Sequence, residues 1–403
     1  MKAVLRFRGR EVGLLSGAGT NGREAPTSRS GLLAEPQPLS VNGHCRGGYS
    51  GKTSLSAAGS DALLQRRSAP KHIYAALDLG TNNCRLLIAR AVPANDGQDG
   101  FRVIDSFSRI VRLGEGMSRT GELGEAAIER TLSALDVCRA KMHARGVTRA
   151  RLIATEACRS ARNGGDFLAR VRAVTGLELE IVDRETEACL AAAGSASLVD
   201  ADAESALLFD IGGGSSEVVW LARSANPVRR TAGPGALEGR IRFWASLKVG
   251  VVTLAEEFGG IEVSGSVFEA MVDHVEHELE NFVSMVRGER RCRHFHLLGT
   301  SGTVTTIAGV FLGLGRYDRR RVDGLWMSRG EVDYAVAALR QMNYAERVAN
   351  GCIGQARADL VLAGCAILEA IRRVFPAERV RIADRGLRDG MLIQLMNEDG
   401  NAD

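Results

Sequence analysis

LLFDIGGGSSEVVWL, residues 207–221, sets three glycines just behind an aspartate and between two apolar runs. LLFDI and EVVWL have the apolar, β-branched and aromatic character of strands, so the stretch is expected to be strand–turn–strand. It is not the strand–loop–helix of a nucleotide P-loop. A run of glycines lets the backbone approach a ligand closely and aim successive N–H groups at one point, which is how an anion is held. An ordinary glycine-rich hairpin has the same local sequence. The distinction rests on whether the chain supplies a matching loop.

It does. ALDLGTNNCRLLI (76–88) repeats the pattern: apolar run, aspartate, apolar residue, glycine, small or polar turn, apolar run. The two aspartates, Asp78 and Asp210, lie 132 residues apart, about one lobe. A third Gly/Ser/Thr loop follows a strand at LLGTSGTVTTIAG (297–309) and runs on in a helical pattern. Two phosphate-type hairpins, one per lobe, are expected to face each other across a cleft as a phosphate clamp.

Composition narrows the class. With 403 residues, 45% of them hydrophobic, the chain can bury a large core in two lobes. Residues 1–71 hold eleven Lys and Arg against four acids, +7, which leaves −3 of the net +4 for the rest. The body is therefore not a basic nucleic-acid-binding domain, and no nucleic-acid partner is expected. Eight cysteines are scattered without a CxxC, as for reduced thiols rather than a disulfide framework. No apolar run approaches a membrane span and no signal-peptide core is present, so a cytoplasmic protein with no membrane partner is expected.

Residues 1–70 carry four of the eight prolines and eleven glycines without sustained periodicity. They read as a disordered basic extension or an over-long gene start. GGYSGKTS (47–54) has the end of a Walker loop, but Arg46 stands where a glycine is required. From Ile73 the texture changes. YAALDL (74–79), RLLIAR (85–90), RLIAT (151–155), ELEIV (178–182), ALLFDI (206–211), FHLLGT (295–300) and VRIAD (380–384) read as short strands. Ile128, Leu132, Leu135, Cys138 and Met142 share one face of a helix over 124–145. A second helix spans 358–375 and stops before Pro376. Strands mostly alternating with helices predict an α/β fold.

Several motifs, in order, resemble the exopolyphosphatase/guanosine pentaphosphate phosphohydrolase (Ppx/GppA) phosphatase family of the actin-like ATPase superfamily. They are DLGTNNCRLLI (78–88), RLGEGMSRTGEL (112–123), ATEACRSARN (154–163), IVDRETEACL (181–190), DIGGGSSE (210–217), GTSGTVTT (299–306), RADLVLAGCAILEAI (357–371) and ADRGLRDGML (383–392). The resemblance covers about 73–397. It implies two ribonuclease-H-like lobes with an interlobe cleft: residues 71–195, residues 196–385, and a helix at about 386–397 returning to the first lobe. No histidine follows His296, so the chain is expected to be a short two-lobe form without a C-terminal HD-type domain.

Carried over by position, the resemblance implies that Asp78 and Asp210 are paired acids at a metal–phosphate site, with Glu217 as a trailing acid. Gly80, Thr81 and Asn82 match the first phosphate loop, and Gly212, Gly213, Gly214 and Ser215 the second. Arg159 matches an arginine that contacts phosphate, and Glu187 the general base; by residue type alone, Asp183 and Glu185 compete with Glu187. Gly299, Ser301, Gly302 and Thr303, in the third loop, are expected to bind phosphate as well. Asn83 departs from the family's Ser or Thr, and Thr186 from an acid.

Hydrolysis of a terminal phosphoanhydride needs charge neutralisation, an aligned water and a phosphate held in line. Backbone N–H groups can bind the non-bridging oxygens. Mg2+ on Asp78 and Asp210, directly or through water, suits such hard ligands. The expected activity is exopolyphosphatase, releasing terminal orthophosphate from inorganic polyphosphate; the alternative is a guanosine pentaphosphate (pppGpp) 5′-phosphohydrolase. An actin-like kinase would need an adenosine pocket, and a non-catalytic alarmone sensor would not need Glu187. Arg316, Arg319, Arg320 and Arg321 in RYDRRRVDG (316–324) form a candidate track for a polyanion. Cys292, His294 and His296 alternate on one strand, more as a polar edge than a metal site. His274 and His277 are three apart on a helix without the HExxH order, as on a solvated face. A homodimer is expected to be possible.

Overall fold

The computed structural model describes residues 72–92, 100–223, 240–289 and 294–400. The extension over 1–70, its GGYSGKTS segment and Cys292 lie outside the described residues.

The first sheet comprises β1 (Ile73–Leu79), β2 (Asn83–Ala91), β3 (Phe101–Ile110), β4 (Arg149–Ala154) and β5 (Glu180–Ile181), in the order β3-β2-β1-β4-β5. β1, β2 and β3 form an antiparallel meander, and β4 and β5 add in parallel. The second sheet comprises β6 (Ser205–Ile211), β7 (Ser216–Ala222), β8 (Ile241–Leu247), β9 (Phe295–Thr300), β10 (Trp326–Ser328) and β11 (Arg379–Ala383). Its order is β10-β11-β9-β6-β7-β8. The strand run β8-β7-β6-β9-β11 therefore repeats β3-β2-β1-β4-β5, with β10 added at the edge. Each lobe is one ribonuclease-H-like unit. β1 and β6 are central in their sheets, and IYAALDL and SALLFDI are apolar on both faces because both faces are covered.

The helices of the first lobe are α1 (Met117–Thr120), α2 (Glu125–Ala144), α3 (Glu156–Ser160), α4 (Gly164–Thr175) and α5 (Arg184–Ser195). Those after β8 are α6 (Val251–Phe258), α7 (Gly265–Val286), α8 (Gly302–Phe311), α9 (Arg319–Val322), α10 (Arg329–Gln341), α11 (Tyr344–Ala349), α12 (Val361–Val374) and α13 (Leu387–Glu398). The apolar stripe of α2, with Ile128, Leu132, Leu135, Cys138 and Met142, packs with Phe167 and Val171 of α4 on the outer face of the first sheet. α7, α8, α10 and α12 cover the outer face of the second.

Between the sheets lie α5 and α13. Leu190 of α5 packs with Met391 and Leu395 of α13 against Tyr74, Ala76 and Ile153 of the first sheet. Ala188 and Ala192 of α5 pack on Leu208, Val219 and Leu298 of the second. α5 thus touches both lobes. Its crossing with α13 is too close for side chains: a Cβ on Gly194 would lie 1.9 Å from Gly386 O, and one on Gly390 2.0 Å from Leu190 O.

Two expected elements are shorter than the sequence suggests. ELEIV contributes only Glu180 and Ile181, at the sheet edge where one ladder partner suffices. The helix expected from residue 358 begins at Val361, because Asp359 is held in a turn by Arg112.

Candidate active site

The two glycine loops sit where β1 and β6 end, and they touch. A Cβ on Gly213 would lie 3.1 Å from both the Cβ and N of Asn82, and one on Gly214 2.7 Å from Thr81 Oγ1. Only glycine lets the second loop come this close to the first. The carbonyls of both loops are already bonded. Thr81 O accepts from Gly114 N (2.9 Å), Asn82 O from Val111 N (2.9 Å) and Arg112 N (3.0 Å). Gly212 O and Gly213 O accept from Val251 N (3.0 Å) and Val252 N (2.8 Å) at the start of α6. The N–H groups of Thr81, Asn82, Gly213 and Gly214 meet no protein acceptor among the described residues. Backbone N–H groups without acceptors, on two chain segments that touch, are the kind of donor that can bind an anion. Gly80 N and Gly212 N instead close their own turns, onto Asn83 O and Ser215 O (2.9 Å each). The Oδ1 atoms of Asn82 and Asn83 are buried without a protein partner.

Below these loops the two hairpins match in register but not in charge. Asp78 pairs across the strands with Arg85, and Asp210 with Glu217. Asp78 and Asp210 keep some contact with solvent, whereas Glu217 is 2% exposed. Burial raises the pKa of Asp78, while Arg85 and Arg388 pull it back. Burial pushes Asp210 up to about 6, with Arg85 opposing and Asp78 adding. Burial and the Asp210 charge push Glu217 up to about 7, although Ser215 Oγ and Ser246 Oγ each donate to its Oε1 at 2.9 Å. Carboxylates that raise one another's pKa are a donor set short of positive charge. Among the described residues no three His, Cys, Asp or Glu side chains converge closely enough to hold a metal ion alone.

Glu187 lies in the first turn of α5, where Asp183 caps the helix by accepting from Thr186 N (2.7 Å). The cap engages Asp183, and Glu187 is the buried one, at 9% exposure. Burial first and the charge of Glu217 second raise its pKa well above the carboxylate range, against Arg159. Arg159 Nη1 and Nη2 donate to Glu187 Oε2 at 3.3 and 3.2 Å. Its other bonds go to Val182 O (2.6 Å) and to Glu156 Oε2 from Nε (3.2 Å) and Nη2 (2.5 Å). Every side-chain N–H of Arg159 is thus engaged by protein, and a phosphate contact requires it to release one of these acceptors.

The third loop is split between tasks. Gly299 lies inside β9 under Phe209, where a Cβ would be 2.5 Å from Phe209 Cζ, so packing requires this glycine. Ser301, at φ 100, caps α8 by accepting from Thr303 N (3.3 Å). Thr303 packs on Gly364 of α12, where a Cβ would lie 2.4 Å from Thr303 Cγ2. Gly302 faces two arginines: its Cβ would be 3.4 Å from Arg85 Nη2 and 3.6 Å from Arg357 Nη1. Arg388 is also close enough to Arg85 to be repelled by it. Arg85 and Arg357 therefore gather beside the N-terminus of α8, with Arg388 in electrostatic reach of Arg85, a combination that attracts anions. None was singled out in the sequence. The usable signal was Arg85 itself, seven residues after its aspartate as Glu217 is after Asp210.

Of the candidate track, Arg319 turns inward to Asp384 and Asp389 (3.5 Å each), while Arg316, Arg320 and Arg321 are exposed. His296 is not on a polar edge: it is 1% exposed, and its Nε2 accepts from Asp200 N (3.2 Å). His277 stands on the solvated face of α7, beside Glu280.

A cavity of roughly 450 Å3 opens between the lobes beside Asn82, walled by Val252, Ile261 and Leu360 and by Arg119. Two bridges cross it. Arg112 grips Asp359 with both Nη atoms (2.8 Å each), and Glu256 accepts from Gly116 N (2.8 Å) and Ser118 Oγ (2.5 Å).

Two ribonuclease-H-like lobes closing on paired glycine hairpins define an actin-like protein. Residues 88–399 match the model of the Ppx/GppA phosphatase family, and the chain belongs to that family. A guanosine-5'-triphosphate,3'-diphosphate pyrophosphatase of Aeromonas hydrophila is 28% identical over 82% of this chain and 61% of its own length. The chain therefore spans about three-fifths of that relative. A putative exopolyphosphatase of Haemophilus influenzae is 26% identical over 83% of this chain and 95% of its own. The crystal structure of the Aquifex aeolicus Ppx/GppA family member matches at TM-score 0.64 and 26% identity, covering 82% of this chain and 99% of that one. An exopolyphosphatase structure from Cytophaga hutchinsonii shares the fold at TM-score 0.70 and 21% identity, covering 81% and 98%.

Proposed function

We propose that the protein is an exopolyphosphatase that removes terminal orthophosphate from inorganic polyphosphate by attack of water. The observation that carries this reading is the pair of touching loops whose four N–H groups lack acceptors among the described residues, read here as an anion cradle, with Glu187 in electrostatic reach of Asp78, Asp210 and Glu217. The terminal phosphate lies in the cradle, its non-bridging oxygens on the N–H groups of Thr81, Asn82, Gly213 and Gly214. Glu187 orients the attacking water and takes its proton; a carboxylate with a raised pKa is the stronger base for this. Arg85, Arg357 and Arg388 draw the rest of the anionic chain towards the cleft. Mg2+, held by Asp78 and Asp210 with Glu217 behind them, supplies charge neutralisation of the phosphate when bound.

Guanosine pentaphosphate is the second substrate to weigh, and the interlobe cavity favours it. Next to Asn82, with apolar walls and Arg119, it has room for a nucleoside. Phosphate release by the purified full chain with Mg2+, offered long-chain polyphosphate, guanosine pentaphosphate and ATP in parallel, tests the reading. Fastest release from polyphosphate supports it. Preference for guanosine pentaphosphate moves the assignment to the alternative at the same site, and release from none overturns both.

A further inference from the structure

The chemistry proposed above gives no task to Glu156, although it is buried, at 7% exposure, with its stem against the second glycine loop. A buried carboxylate is costly unless its charge is matched. Here it is matched from two sides. Glu156 Oε2 accepts from Nε and Nη2 of Arg159, and Oε1 accepts from Arg184 Nη2 (2.9 Å) and Ser160 Oγ (2.5 Å). Burial alone would raise its pKa, but these donors outweigh it and hold the carboxylate below its ordinary value, hence ionised.

The partners decide what that anion does. Arg159 is three residues on along the same short helix, so the pair is fixed by local geometry. Arg184 begins α5, the helix that carries Glu187. One carboxylate therefore ties α3 to α5 and immobilises the guanidinium that meets Glu187 Oε2. Glu187 Oε1 is left without a protein donor among the described residues. Glu156 does not itself face the reacting atoms. Its oxygens are occupied, and its stem backs the second loop, 3.4 Å from where a Cβ on Gly214 would stand.

We propose that Glu156 is a positioning residue for the hydrolysis: it anchors Arg159 and Arg184 so that Arg159 pins one oxygen of Glu187 and leaves the other for water. The inference rests on the hydrolytic reading above. Without the anion, Arg159 is free to pair with Glu187 in other geometries or to swing to phosphate, and the water is no longer aligned. Misalignment lowers turnover more than substrate binding.

The test compares Glu156→Gln and Glu156→Asp with wild type on the best phosphate donor in Mg2+, with the Arg159 Nε–H resonance followed by NMR and assigned through Arg159→Lys. Glu156→Gln should lose roughly 10–100-fold in kcat with KM within about two-fold. Its Arg159 resonance should broaden through exchange with water. Glu156→Asp keeps the charge at shorter reach and should recover part of kcat. Should Glu156→Gln fail to fold, Arg184→Gln loosens the same carboxylate from its more exposed side and should lower kcat in the same direction. An unchanged kcat, or an Arg159 resonance as sharp as in wild type, overturns the proposal. A wild-type chain that releases no phosphate would instead overturn the hydrolytic reading, and the resonance then decides the anchoring alone.

Discussion

Gly214 shows how little room the site leaves. Its α-hydrogen faces Thr81 Oγ1 across a gap that a methyl group would close to 2.7 Å. Gly214→Ala should therefore spread the two loops and lower kcat/KM by roughly 10–100-fold, as steady-state kinetics will show. The acids beneath have a consequence for pH. Asp210 and Glu217 are raised to about 6 and about 7 in the folded chain, from 3.8 and 4.5. The folded state thus binds more protons than the unfolded one over that interval, so stability falls as pH rises from about 4 through 7. In chelator the melting temperature should be higher at pH 5 than at pH 8. Mg2+ should recover the difference at pH 8, and Glu217→Gln should shrink it. A melting temperature that rises over this range would contradict the assignment of these carboxylates as a charge-poor donor set.

At the scale of elements, the crossing of α5 and α13 is what places Glu187 between the lobes. Gly390→Ala must push the two helices apart at Leu190 O, and should cost about 2–3 kcal/mol, measurable by denaturant unfolding. The hairpins that carry the site were legible because the chain states them twice, at Asp78 and at Asp210. The amphipathic stripe of α2 was equally plain, since one face meets the core and the other meets water. β3 was not: FRVIDSFSRI is partly exposed along its whole length at the sheet edge, so its sequence carries no clean alternation. Arg357 and Arg388 were missed for a different reason. Arginines in loops and helix starts look like solvated charges, and only folding brings these two near Arg85. Gly299 erred the other way, a glycine in a loop-like motif that serves a phenylalanine.

Across the two lobes, a cavity of roughly 450 Å3 is crossed by two polar bridges. Arg112–Asp359 is bidentate and partly shielded, at 30% and 22% side-chain exposure, a geometry stronger than an ordinary surface pair. Asp359→Asn should loosen this bridge, raise KM and enlarge the radius of gyration without substrate, as X-ray scattering will report. No helix among the described residues is long and apolar enough to cross a membrane. In the proposed hydrolysis, loops from both lobes hold a terminal phosphate while Glu187 directs water at it. Its most direct test is calorimetric titration of Glu187→Gln with polyphosphate in Mg2+, with released phosphate assayed in the same cell. Binding close to wild type, with release slowed by roughly 100-fold or more, is the expected result. Release at the wild-type rate would contradict it.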